Sequence, residues 1–172
     1  MMKLRRILLV LLIIVLIIVG VYVISLLVVR NSGYHQYPTL DELRQLEGPE
    51  AKHEACKIPK IKLKLMSTEQ LAQALLDYPY MFETHICSSC RQATDMVFER
   101  CDALRELVKR KDAKDILIEK FEVLWQDTSN WESVVQAEGL AIILTHNHTL
   151  ARQLSIEEKT QLREVALSVY PR

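Results

Sequence analysis

Residues 7–29 are 23 consecutive positions without a charge, nearly all of them Leu, Ile or Val. At about 1.5 Å rise per residue, a helix of this length crosses a hydrocarbon core about 30 Å thick with some tilt. The run has no polar face to turn towards water, and it is too long for an ordinary core helix. A secretory h-region is about 7–15 residues long and ends at a small-residue cleavage site. This run is longer, and Val23-Ile24-Ser25 matches such a site poorly. No cysteine lies near its end for lipoprotein processing. The expectation is an uncleaved transmembrane helix over 7–29, in contact with membrane lipid. Lys3, Arg5 and Arg6 precede the run, and only Arg30 follows it closely. The positive-inside rule then leaves residues 1–6 as a cytoplasmic basic tail. It places the rest outside, as a single-pass protein of the plasma membrane with an extracytoplasmic C-terminal domain.

The formal net charge of zero conceals an asymmetry. Four of the 22 basic residues flank the apolar run, whereas all 22 acidic residues follow it, which leaves the rest of the chain at about −4. A mildly acidic domain lacks the basic surface that nucleic-acid binding requires. Gly and Pro are sparse, with 4 and 5 copies, so there are few turn formers to punctuate a sheet.

The remaining signals are helical. Residues 30–57 read as a juxtamembrane linker containing one short helix, opened by the capping box Thr39-Leu40-Asp41-Glu42 and closed by Gly48-Pro49. Residues 58–172 read as the extracytoplasmic domain. Ser67-Thr68-Glu69-Gln70 is a second capping box, and the helix after it ends near Tyr78-Pro79. A further helix is expected to follow Pro79. Val97, Cys101, Leu104 and Val108 recur at i, i+4, i+7 and i+11, the pattern of one buried helix face. Asp112 is placed to cap the next helix. Trp131 to His146 holds Leu140 to Leu144, apolar all round, and reads as the central helix. Ser155-Ile156-Glu157-Glu158 is a third capping box. The fold class is all-α: an N-terminal transmembrane helix followed by a compact bundle of about six or seven helices.

Three stretches carry a resemblance. Ile58-Pro59 followed by Leu65-Met66-Ser67-Thr68-Glu69-Gln70-Leu71, then Leu75-Leu76-Asp77-Tyr78-Pro79-Tyr80, then Leu104 to Ala113 occur in the order seen in a group of bacterial envelope proteins. From about 58 to 170 the chain resembles this uncharacterised helical domain of cell-envelope proteins, found mainly in Gram-positive bacteria and Bacteroidetes. The resemblance implies a helical envelope domain and brings no activity with it. The chain departs from the group's Gly-Phe segment at Ala93-Thr94-Asp95-Met96-Val97. Its cysteines look like a local addition.

Cys56, Cys87, Cys90 and Cys101 are the candidates for chemistry. An extracytoplasmic domain permits disulfides, and four cysteines allow three full pairings among which sequence cannot choose. A bridge from Cys56 to Cys87 or Cys90, or simple burial of Cys101 on its apolar stripe, is the structural reading. Cys87-Ser88-Ser89-Cys90 has redox spacing but lacks the βαβ setting of a thioredoxin site. His53 and Cys56 with Cys87 and Cys90 form two x2-spaced pairs that could ligate a structural zinc. His146 and His148 point apart on a helix and suit a cap or loop. No HExxH, GxSxG, GxxxxGK or GxGxxG motif occurs. The functional expectation is a non-enzymatic module that binds or assembles with another envelope protein. A thiol or zinc protein, or an enzyme with a dispersed site, stand as alternatives.

Overall fold

The computed structural model describes residues 12–21, 23, 34–127 and 129–169. It divides into two units, residues 1–33 and 34–172. In the first, residues 12–21 and 23 are helical. Among the described residues no helix is long and apolar enough to cross a membrane. The rest of the expected span, 7–11, 22 and 24–29, lies outside the described residues.

Within the second unit, every regular element among the described residues is helical, with ten α-helices and one 3-10 helix. They are α1 (Leu40–Arg44), α2 (Gly48–Ala55), α3 (Lys60–Leu65), α4 (Thr68–Leu76), η1 (Met81–His85), α5 (Cys90–Arg100), α6 (Asp102–Leu107), α7 (Ala113–Gln126), α8 (Trp131–His146), α9 (His148–Ala151) and α10 (Ile156–Val169). That exceeds the six or seven expected, because several single-turn helices replace loops or split longer ones.

The three capping boxes form as their sequences predict. Thr39 and Ser67 each accept from the backbone N–H three residues on, and Glu42 and Gln70 reach back to the cap. Ser155 and Glu158 make the same reciprocal pair, at 2.6 and 3.1 Å. Each box satisfies backbone donors that would otherwise lack partners at a helix start.

Helix α8 is the organising element. Leu140, Ala141, Ile142, Ile143 and Leu144 are all fully buried. A helix apolar on every side must be wrapped on every side, and α7, α10, α5, α9 and η1 pack around it. Helix α4 lies against α6 and α7, and α3 lies against α6.

Four expectations need correction. The linker reading of 30–57 fails from Tyr34 onwards. Leu43 and Cys56 are buried in the core and Tyr37 packs against it, while residues 48–55 form α2 instead of a loop. Gly48 adopts φ +80°, which a side chain would resist, and Pro49 sits in the first turn, where its missing N–H costs nothing. The helix expected after Pro79 is the short 3-10 turn η1. The stripe from Val97 to Val108 is interrupted at Cys101, whose backbone is extended (φ −93°, ψ 109°). There the Asp102 carboxylate accepts the buried Ile58 N–H at 3.0 Å and tethers the start of α3. Asp112 precedes α7 but does not cap it with its side chain. Its two carboxylate oxygens instead accept the Thr68 hydroxyl, both at 2.9 Å, and join the starts of α4 and α7.

Candidate functional site

Helical elements hold the sequence-nominated cysteines and histidine apart. His53 lies on α2 and stacks edge-on against Tyr80, with ring centroids 5.4 Å apart. Cys56 follows α2 and turns into the core. Cys87 follows η1 and donates to the Glu83 carbonyl at 3.3 Å. Cys90 opens α5 and points towards the Ala166 carbonyl of α10 at 3.9 Å. Cys101 is fully buried at the junction of α5 and α6. All four are free thiols, so no expected pairing is present. Among the described residues no three His, Cys, Asp or Glu side chains are grouped as a metal requires. The physical reason is orientation: His53, Cys56, Cys87 and Cys90 each face a different neighbour, and the x2 spacing does not converge. Burial pushes every one of these thiols up, Cys56 to about 11 and Cys101 to about 12. The nucleophilic thiolate that disulfide exchange needs is therefore suppressed.

An aromatic string runs through the unit beside these residues. His35, Tyr37, Tyr78 and Tyr80 meet edge-on in succession at 4.5, 5.7 and 5.8 Å between ring centroids. His35 Nε2, His53 Nδ1 and the Tyr78 hydroxyl are buried without a hydrogen-bond partner among the described residues. The Tyr37 hydroxyl likewise has no hydrogen-bond partner among the described residues. Desolvation raises both buried phenols, and the neighbouring thiols of Cys101 and Cys56 add to it. An open cleft of about 980 Å³ passes His35 and Tyr37. Its two carboxylates are already engaged, Glu42 by the Thr39 cap and Asp77 by Gln73. The string is a polar part of the core, and it offers no charge or nucleophile to a ligand.

Three of the histidines are held below the ordinary value of 6.5, mainly by desolvation. Lys62 acts against the charge on His35, Arg100 on His53 and Arg163 on His146. The unfolded chain therefore binds more protons than the folded one as the pH falls. This contribution to stability is expected in full above about pH 6.5 and to be lost as the pH drops through the lower folded values. Thermal midpoints of the full chain between about pH 7.5 and 5 check this. His53→Gln should flatten the decline, and a midpoint constant across the range would contradict it.

Thr84, His85 and Glu138 line up as a hydroxyl, an imidazole and a carboxylate. The Thr84 hydroxyl is 3.0 Å from His85 Nδ1, and His85 Nε2 is 3.0 Å from Glu138. The arrangement resembles a nucleophile–base–acid chain, but Thr84 is fully buried and its hydroxyl donates to the Met81 carbonyl at 2.8 Å. No substrate reaches it, and the chain of bonds fastens η1 to α8.

A surface groove between α3 and α6 has the features of a binding site. It encloses about 580 Å³, within the roughly 300–1,000 Å³ common for ligand pockets. Ile58, Leu63, Phe98 and Val108 give it an apolar floor. Five cations line it, Lys57, Lys60, Lys64, Arg105 and Lys109, against the carboxylates of Asp102 and Glu106. Both carboxylates are occupied: Asp102 binds the Ile58 N–H and Arg105, and Glu106 binds Lys109 at 2.9 Å and Arg110 at 3.4 Å. Lys57 pairs with Glu54. Lys60 and Lys64 make no ion pair among the described residues and are exposed.

No protein-family model, no curated protein and no solved structure matches this chain. Its functional reading therefore rests on its own residues.

Sequence reasoning passed over this groove. Lys60-Ile61-Lys62-Leu63-Lys64-Leu65 alternates apolar and basic residues, a pattern with no helical stripe to point to a shared face. The usable signal was the cluster of cations at i, i+4 spacing on two separate segments. Nothing local indicated that those segments would meet.

Proposed function

We propose that this protein is a membrane-tethered, non-enzymatic helical module that docks another protein of the cell envelope in the groove between α3 and α6. The observation that carries the reading is the apolar floor walled by cations, two of them without an ion pair among the described residues. An apolar floor supplies affinity through burial, at roughly 25 cal/mol per Å² removed from water. Charges at the edge steer the encounter and select the partner. The uncharged run over 7–29 supports the tether, and the basic residues before it support an extracytoplasmic location. The free, protonated thiols and the dispersed positions of His53, Cys56, Cys87 and Cys90 do not favour a thiol or zinc protein.

Site-specific photocrosslinking in intact cells tests this. A benzophenone amino acid at Lys64 is expected to give one discrete adduct, and the same group at Trp131, which is 77 % exposed on α8, is expected to give none. The captured protein, once identified and purified, should bind the reconstituted full chain and release it on Leu63→Glu. Adducts that are the same from both positions, or a purified partner indifferent to Leu63→Glu, would reject the docking reading.

A further inference from the structure

The two walls of the groove carry their charge in the same way. On α3, Lys60 and Lys64 stand at i and i+4, and across the floor Arg105 and Lys109 repeat that spacing on α6 and just beyond it. Residues four apart lie one above the other on a helix, about 6 Å along its axis. Arg105 and Lys109 are already paired with Asp102 and Glu106, so among the described residues the unpaired charge lies on the α3 edge, where Lys60 and Lys64 run along the groove. This concentration is local: five of the 18 basic residues that follow position 30 line one groove in a unit that is otherwise acidic.

We infer that the groove takes an acidic amphipathic helix from the partner, with an apolar stripe seated on Ile58, Leu63, Phe98 and Val108 and carboxylates along the flank that meets Lys60 and Lys64. Charge complementarity selects this occupant. A helix laid in a groove presents apolar anchors at i, i+3, i+4 and i+7, and one of its flanks then falls against Lys60 and Lys64, which are spaced one helical turn apart. A single-chain fatty acid carries one carboxylate at one end and would answer only one of these two lysines. A second copy of this chain would need an acidic apolar stripe of its own. Of the helices that end the chain, α10 has Glu157 and Glu158 near its start, but Leu162, Val165 and Ala166 are already buried in the protein's own core.

This inference rests on the docking reading above, and its test separates the two. The probe is a synthetic helical peptide of about 15 residues with Leu at i, i+3, i+4 and i+7 and Glu along the flank that would meet Lys60 and Lys64. Its control carries Lys in place of Glu. Binding to the full chain in neutral-lipid nanodiscs is read by fluorescence anisotropy, since detergent would compete for the groove. The Glu-flanked peptide should bind and the Lys-flanked one should not. Lys60→Glu combined with Lys64→Glu should weaken binding about tenfold or more, and added salt should weaken it further. Both lysines are exposed, and an unchanged circular dichroism spectrum confirms that the variant folds. Equal binding of both peptides, displacement of the Glu-flanked peptide by palmitate at equal concentration, or self-association of the chain through this face would overturn the inference. Should a purified crosslinked partner bind while the Glu-flanked peptide does not, the partner chemistry is wrong and docking stands. Should neither bind, both fall.

Discussion

Phe121→Ala is expected to lower stability by about 3–5 kcal/mol, a large part of the roughly 5–15 kcal/mol that holds a domain of this size folded. Phe121 is the bulkiest of the fully buried side chains. It sits on α7, which packs along α8, and its ring stacks on Trp125 with centroids 6.0 Å apart and planes 14° from parallel. Truncation removes the apolar area and leaves a cavity that rigid helices on either side cannot close. The loss also removes the ring beside Trp125, so the folded protein should show altered tryptophan emission as well as a lower thermal midpoint. Phe121→Leu, which keeps most of the volume, should recover the larger share. A loss below about 1 kcal/mol for the alanine variant would mean that α7 and α8 do not pack as described.

Gly139→Leu is expected to cost about 3 kcal/mol by overpacking. Gly139 lies on α8 against Met81 and Thr84 of η1. A Cβ there would meet the Met81 terminal methyl at 2.8 Å and the Thr84 hydroxyl at 3.2 Å. A lone methyl can be accommodated, because the end of Met81 is flexible and alanine favours a helix over glycine by about 1 kcal/mol. Gly139→Ala should therefore fall within about 1 kcal/mol of the wild type. The branched Leu has nowhere to go without lifting η1, which breaks the Thr84–His85–Glu138 chain of hydrogen bonds. Urea denaturation of the two variants side by side separates these cases. Equal stability of the Leu and Ala variants would refute the close approach.

Much of the helical layout was legible in the sequence because its determinants are local. Thr39, Ser67 and Ser155 each carry their cap partner three residues away, and each starts a helix. Trp131 to His146 is bounded as its sequence predicts, with Asn130 accepting from the Glu132 N–H and Asn147 closing the end and opening α9. The Asn147 side chain accepts from Thr149 and Leu150, so the cap between α8 and α9 falls to Asn147, whereas His146 and His148, expected to cap or to lie in a loop, end one helix and begin the next. Burial on the interrupted stripe was also readable: Val97, Cys101 and Leu104 are in the core even though two helices carry them.

The break at Cys101, the Thr68–Asp112 link and the His85–Glu138 contact were not readable. Each depends on a partner between 44 and 53 residues away. The spacing of His53, Cys56, Cys87 and Cys90 suggested a ligand set, but spacing specifies only which residues are near in the chain. Which way each side chain turns is set by the helix it belongs to and the helix it packs against. The groove shows the same division. The sequence by itself determined that the chain is helical, where its capped helices begin, and that α8 must be enclosed. Only the tertiary structure decided that Lys60 and Lys64 stand across an apolar floor from Arg105 and Lys109. Capping and amphipathic periodicity act over about one turn of helix. Convergence of distant side chains is decided by how whole helices pack.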